Sequence, residues 1–282
     1  MIKPNALINF ACLAALCVSS HRCFAQDAIA ITPDVVYGHK DGMALTFDVF
    51  QPKENAKAIG LLFMVSGGWV SQWIEPTKLQ PMVQPLLDAG YTVFAVRHGS
   101  SPRYLIPEIA VDVRSALKFI HAHAADYKVD PAKLGVFGFS AGGHLSLVLG
   151  TMTNDQKAAD APHVAAVVAV FPPTDLAPYV DPKSPLREQF PALKFDPAKA
   201  SDYSPLMHVT ADDAPTLLVH GDKDELVPIW HSQKIAAAFA EAKVPAELIT
   251  IEGAAHGFNA EGNKRMVKGM VEWFDKHLAA AK

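Results

Sequence analysis

Short apolar runs recur along this chain with helical patterns between them, and that alternation is what most limits its fold. Ile59 to Val65, Tyr91 to Val96, Leu134 to Phe139, Val164 to Phe171, Thr216 to His220 and Ala246 to Ile251 read as continuous apolar runs. Such runs suit parallel strands covered by helices on both faces. Leu45, Phe47 and Val49 instead alternate with polar neighbours, as in a half-exposed early strand. Helical patterns cover about Pro107 to His123, with Val111, Ala116, Phe119 and Ile120 on or near one face, and Ser232 to Ala242. A third, Lys264 to Ala280, brings Val267, Met270, Val271, Phe274 and Leu278 onto one stripe. The spacing predicts one α/β domain with a mostly parallel twisted sheet and helices on both faces. The proline-rich stretch 172–215 has no clear period; a gap of that length between strands predicts a lid or cap insertion rather than disorder.

The chain has 282 residues, of which 50% are apolar, and all three cysteines fall in its first 25 residues. That segment runs from Lys3 through an apolar stretch, Ala6 to Val18, to the short side chains Cys23 and Ala25. The pattern predicts an export signal cleaved after Ala25 and a secreted or periplasmic product. The apolar stretch is shorter than the roughly 20 residues a membrane-spanning helix needs, so no stable membrane span is expected. Leu16 and Arg22, which precede Cys17 and Cys23, speak against lipid attachment. Removing the segment leaves 257 residues, 23 basic against 29 acidic, and no cysteine. A disulfide scaffold, a zinc-thiolate protein and a cysteine hydrolase are then excluded. The acidic balance gives no footprint for nucleic acid.

The chemistry concentrates in three loops. Gly138-Phe139-Ser140-Ala141-Gly142 joins an apolar run to a helical one, so Ser140 sits on a strand-to-helix turn that only glycine neighbours allow. A serine nucleophile needs a base, and the base needs a carboxylate to orient it. His220-Gly221-Asp222-Lys223-Asp224-Glu225 follows one apolar run, and Gly253-Ala254-Ala255-His256-Gly257-Phe258 follows the next. Ser140, Asp224 and His256 therefore stand in chain order past the carboxyl ends of strands, where open α/β sheets build their sites. Asp222 and Glu225 flank Asp224 and carry the same chemistry, and Asp175 is a further substitute. His220 is read as a loop anchor, and His144, one helical turn beyond Ser140, as a support for the turn. His121 and His123 form a His-x-His pair that can bind metal, but with no acid or cysteine cluster nearby they read as a solvated face.

Ser66-Gly67-Gly68-Trp69 follows the run Ile59 to Val65. With it, the chain from about residue 35 to 280 resembles α/β-hydrolases of the carboxylesterase type, near the hormone-sensitive-lipase-like and feruloyl- and acetyl-esterase-like groups. Those families carry His-Gly-Gly-Gly-Trp here, together with the Gly-x-Ser-x-Gly, His-Gly-x-x-Asp and Gly-x-x-His-Gly-Phe loops. This chain departs from them at Val65 and Ser66, in place of the histidine and first glycine. Arg97, Pro107 and Asp112 also resemble family positions, and Arg97 and Asp112 are read as structural. The resemblance implies a serine ester hydrolase acting through an acyl-enzyme, with no cofactor and no metal. The amides of Ser66 or Gly67, with Ala141, would form the oxyanion hole. Trp69, Tyr179 and Tyr203 would line a site for a small-molecule or polysaccharide ester, such as an acetyl or feruloyl ester. A serine peptidase of prolyl-oligopeptidase type and a non-catalytic binding protein of the same fold are the alternatives. The oligomeric state is not legible.

Overall fold

A computed structural model of the chain describes residues 28–152 and 162–279; the expected export segment lies outside them. Eight strands form one sheet: β1 (Ile29–Lys40), β2 (Met43–Pro52), β3 (Gly60–Met64), β4 (Thr92–Val96), β5 (Leu134–Phe139), β6 (Ala166–Val170), β7 (Thr216–Gly221) and β8 (Ala246–Ile251). Their spatial order is β1-β2-β4-β3-β5-β6-β7-β8. The first two strands form an antiparallel pair, β2 joins β4 antiparallel, and every pairing beyond is parallel. The helices are α1 (Pro76–Asp88), α2 (Ile106–Ala122), α3 (Ala141–Thr151), the short α4 (Ala177–Val180) and α5 (Pro185–Gln189), α6 (Trp230–Ala242) and α7 (Ala260–Phe274).

Successive side chains of a strand point to opposite faces, so the continuous apolar runs feed two cores at once. Leu62 and Met64 of β3 join α2, α3 and α6 on one face, through Ile109, Leu117, Leu145, Ile235 and Phe239. Leu61 and Phe63 join α1 and α7 on the other, through Val83, Leu86, Met270 and Phe274. Six parallel strands thus end at one rim, and the three chemical loops of the sequence leave that rim after β5, β7 and β8.

Three elements differ from their sequence patterns. Strand β2 is not half-exposed: Phe47, Asp48, Val49 and Phe50 are all buried, because β1 and β4 flank it and Asp48 is an ion-pair partner. Strand β8 is the edge, and most of it is only half-buried despite its apolar sequence. Val111 faces solvent; the buried stripe of α2 is Ile106, Ile109, Ala110, Val113, Ala116, Leu117 and Ile120. The stretch 172–215 folds into α4, α5 and four short 3-10 turns. Its Leu176, Val180, Leu193 and Phe195 are packed into the same core as α2 and α3.

Arg97 and Asp112 do not pair with each other. The Arg97 guanidinium donates to both oxygens of fully buried Asp48, to Asp34 and to Thr46, clamping β1 and β2 to the end of β4. Asp112 accepts from Lys40 Nζ and from the Gly99 amide, both at 2.9 Å. Removing one partner of a buried pair leaves an uncompensated charge. Asp48→Ala should therefore cost about 3 kcal/mol in urea unfolding, the low end for a broken buried pair because Asp34 remains. A loss under about 1 kcal/mol would mean that water reaches the guanidinium and the clamp is not what holds β1 and β2.

Candidate active site

Ser140 sits between β5 and α3 with φ 53° and ψ −119°, a left-handed conformation that costs a non-glycine residue on the order of 1–3 kcal/mol. The turn is closed by contacts that leave no space for side chains. A Cβ on Gly138 would lie 2.4 Å from the Gly142 carbonyl oxygen, and one on Gly142 would lie 2.6 Å from that of Met64. The Ser140 amide donates to the Val170 carbonyl of the neighbouring strand, and its own carbonyl accepts from the His144 amide. The strain is therefore held from both sides of the sheet rim.

The structure brings together the three residues singled out in sequence order. His256 Nε2 lies 2.9 Å from Ser140 Oγ, and His256 Nδ1 lies 2.6 Å from Asp224 Oδ2. Asp224 Oδ1 accepts from the amides of Leu226 and Val227 at 3.0 and 2.9 Å. Its side chain is wholly buried, whereas His256 keeps 21% of its side chain exposed. Burial pushes the Asp224 carboxyl up, but hydrogen bonds from His220 and His256, with the His256 charge and the Val227 amide, outweigh it and hold the group well below the ordinary carboxylate range. Phe171, itself at positive φ, packs its ring 4.5 Å from that of His256. The competing acids are elsewhere: Asp222 accepts from the Gly253 amide, Glu225 is exposed, and Asp175 caps the Ala177 amide.

The turn after β3 differs in detail from its sequence reading. The Gly67 amide is taken by the Val70 carbonyl at 3.1 Å, so it is not free to hold an oxyanion. Ser66 turns its hydroxyl to His98 Nε2 at 2.9 Å and its carbonyl to the Gly142 amide. Gly68, at φ 57°, is the glycine of this turn that borders Ser140. Neither the Gly68 amide nor the Ala141 amide at the head of α3 donates to an acceptor among the described residues. No local pattern marked His98, which holds this turn with an imidazole from the end of β4 where the family histidine is replaced by Val65.

Beside Ser140 lies a cavity of about 30 Å³, lined by Gly68, Trp69, Tyr179, Leu186, Phe190 and Val227 among others. That space holds one or two waters, or a methyl-sized group. Phe190 closes it: a Cβ on Gly68 would lie 2.8 Å from the Phe190 ring. Tyr203 does not line the cavity. Its ring packs on Phe195, and its carbonyl accepts from His144 Nε2 at 2.8 Å. Trp69 Nε1 in turn donates to His144 Nδ1 at 3.2 Å, so one imidazole joins the turn after β3, helix α3 and the insertion. His123 pairs with Asp126 and stacks on Phe119, and no cluster able to hold a metal ion occurs among the described residues.

Burial holds His98 and His144 down to about 4 and His231 down to about 3. An unfolded histidine takes up its proton near pH 6.5, before these folded ones do, so the unfolded state binds more protons between those values. Stability should therefore fall as pH drops from about 6.5 toward 4, each group adding roughly 1 kcal/mol per pH unit. Urea midpoints at pH 7, 6 and 5 measure this; a flat profile would show that these rings are charged in the folded chain.

The BD-FAE family model matches residues 47–239. A probable carboxylic ester hydrolase, LipM of Mycobacterium tuberculosis, is 29% identical over 87% of this chain and 59% of its own. An ethyl acetate hydrolase of Pseudomonas putida is 27% identical over 79% of this chain and 74% of its own. Alignments with three mycobacterial relatives span only 59–63% of those proteins' lengths. A solved truncated carbohydrate esterase from gut microbiota superposes with a TM-score of 0.74 at 26% identity, covering 90% of this chain and 98% of its own. The matched span includes Ser140 and Asp224 and most of the sheet, and the chain belongs to the BD-FAE family of hormone-sensitive-lipase-like α/β-hydrolases.

Proposed function

We propose that this chain hydrolyses carboxylic esters through an acyl-enzyme on Ser140. The observation that carries the reading is the unbroken relay from Asp224 through His256 to Ser140, at 2.6 and 2.9 Å. His256 Nε2 takes the hydroxyl proton as Ser140 Oγ attacks the ester carbonyl carbon. The charge then forming on the carbonyl oxygen is held by the free amides of Gly68 and Ala141, aided by the positive end of α3. Collapse breaks the bond to the alcohol, which leaves with the proton from His256. Water, deprotonated by the same nitrogen, then attacks the acyl-enzyme and frees Ser140. Asp224 stays ionised throughout and orients the ring.

The cavity beside Ser140 supports a short acyl group. A space of about 30 Å³ suits the methyl of an acetyl ester, with the Phe190 ring standing against Gly68 as one of its walls. The ethyl acetate hydrolase and carbohydrate esterase relatives are in keeping with acetyl esters of small alcohols or sugars. The amino-terminal pattern ending at Ala25 supports export, which amino-terminal sequencing of the product from an expressing culture would test.

Ser140→Ala should lower kcat on 4-nitrophenyl acetate by about 10⁴-fold or more and abolish labelling by a fluorophosphonate, as removal of a triad nucleophile does. A variant that keeps its activity would remove Ser140 from the mechanism. Phe190→Ala should raise kcat/KM for the hexanoyl ester relative to the acetyl ester by about tenfold, the scale of one or two methylenes in an apolar pocket. An unchanged ratio would place the acyl chain elsewhere.

A further inference from the structure

The cavity holds a polar group that the hydrolytic relay does not use. Tyr179 of α4 lines the cavity beside Ser140, and its Oη lies 2.6 Å from His231 Nε2, in the first turn of α6. Which of the two donates is decided on the far side of the imidazole. The Thr174 backbone amide donates to His231 Nδ1 at 3.1 Å, and the Asp175 amide approaches it at 3.4 Å. A backbone N–H can only donate, so Nδ1 carries the lone pair. The Thr174 hydroxyl gives its proton to the His231 carbonyl at 2.9 Å and lies 3.4 Å from Nδ1, farther than the amide that donates there. The ring is buried, stacked on Trp230 at 3.7 Å, and held neutral by that burial, so its one proton is on Nε2.

His231 Nε2–H therefore donates to Tyr179 Oη, and the phenol must be the acceptor. Its own O–H then points away from the imidazole, and no acceptor for it occurs among the described residues. A mostly buried donor without a partner is costly, and a ligand oxygen that meets it recovers that cost.

We propose that Tyr179, its oxygen held by His231, donates a hydrogen bond to a second, uncharged oxygen of the substrate. This rests on the ester hydrolase reading and narrows its substrate class. The favoured esters carry a hydroxyl, ether or ring oxygen close to the scissile group, of the kind a sugar ring presents around an acyl substituent. Plain alkyl esters leave the phenol unpaired. Tyr179 is here a specificity-determining residue, and His231 a positioning residue that acts through it.

Two matched pairs of esters test this, each exchanging one methylene for oxygen. On the acyl side these are 4-nitrophenyl butyrate and 4-nitrophenyl methoxyacetate; on the alcohol side, butyl acetate and 2-methoxyethyl acetate. Comparing wild type with Tyr179→Phe within each pair cancels the intrinsic reactivity of the esters. Tyr179→Phe should lower the oxygen-to-methylene ratio of kcat/KM about fivefold in one pair, the size of one recovered hydrogen bond. Ratios unchanged in both pairs overturn the proposal. Nitrogen-15 spectra of the wild type, read from pH 6 to 9, should show His231 protonated at Nε2; a proton on Nδ1 overturns it whatever the kinetics. A Ser140 that resists fluorophosphonate in the unmodified chain would sink the hydrolase reading and the substrate half of this proposal with it. Labelled Ser140 with unchanged ratios sinks this proposal alone.

Discussion

The contact between Gly138 and Gly142 is the constraint on which the site depends. Helix α3 can begin only one residue after Ser140 because the Gly142 carbonyl sits where a Cβ of Gly138 would be. The same approach brings Gly142 against the Met64 carbonyl, so β3 and β5 must run side by side and parallel beneath the helix. That register sets Gly68 and Trp69, which follow β3, beside Ser140, which follows β5. The strain at Ser140 is maintained because Val170 of β6 and His144 of α3 each hold one of its backbone groups. Two glycines thus place Ser140 and, through the sheet, decide what can stand beside it.

Around that turn the chain uses histidine in two different ways. His98, His144, His220 and His231 are buried, and each has both nitrogens engaged. In every case one neighbour fixes the proton. The Gly99, Tyr203 and Val227 carbonyls can only accept, and the Thr174 amide can only donate. An imidazole so fixed is a directional connector: it accepts a hydrogen bond from one element and donates one to the next. His256 is the contrast. Its ring is partly exposed and lies between the Asp224 carboxylate and the Ser140 hydroxyl, whereas His220 meets the same carboxylate from within the core, at 3.3 Å.

What the sequence made legible is what short spacings control. The elbow, the acid loop and the histidine loop each place their residue by local backbone geometry, and each follows an apolar run. What it hid is set by distant neighbours. Asp48 lies in an alternating stretch and reads as solvent-facing until β4 supplies Arg97. Gly67 and Gly68 are adjacent and chemically identical; only the Val70 bridge shows which amide is occupied. Helix α1 carries Pro81 and Pro85, which argue against a helix, yet Pro81 is exposed and its missing donor costs little on the solvent side. His98 and His231 stand in no motif, and their roles exist only once β3 meets β4 and α4 meets α6.

The insertion between β6 and β7 is fastened to the body of the fold along its length. The Leu176 amide donates to Ser204 Oγ, the Leu206 amide to the Thr174 carbonyl, and Arg187 to the carbonyls of Val180 and Phe195. His144 fastens Tyr203 to α3, and Ala192, Leu193 and Phe195 are packed into the main core. A segment held at its start, middle and end forms one wall of the cavity beside Ser140. Phe190 is the side chain of this wall that stands closest to Gly68. Phe190 and Tyr179, one apolar and one polar, both stand on this wall. Ser140, Asp224 and His256 instead stand on loops of the sheet rim, so the wall can vary in sequence without touching the hydrogen bonds that join them.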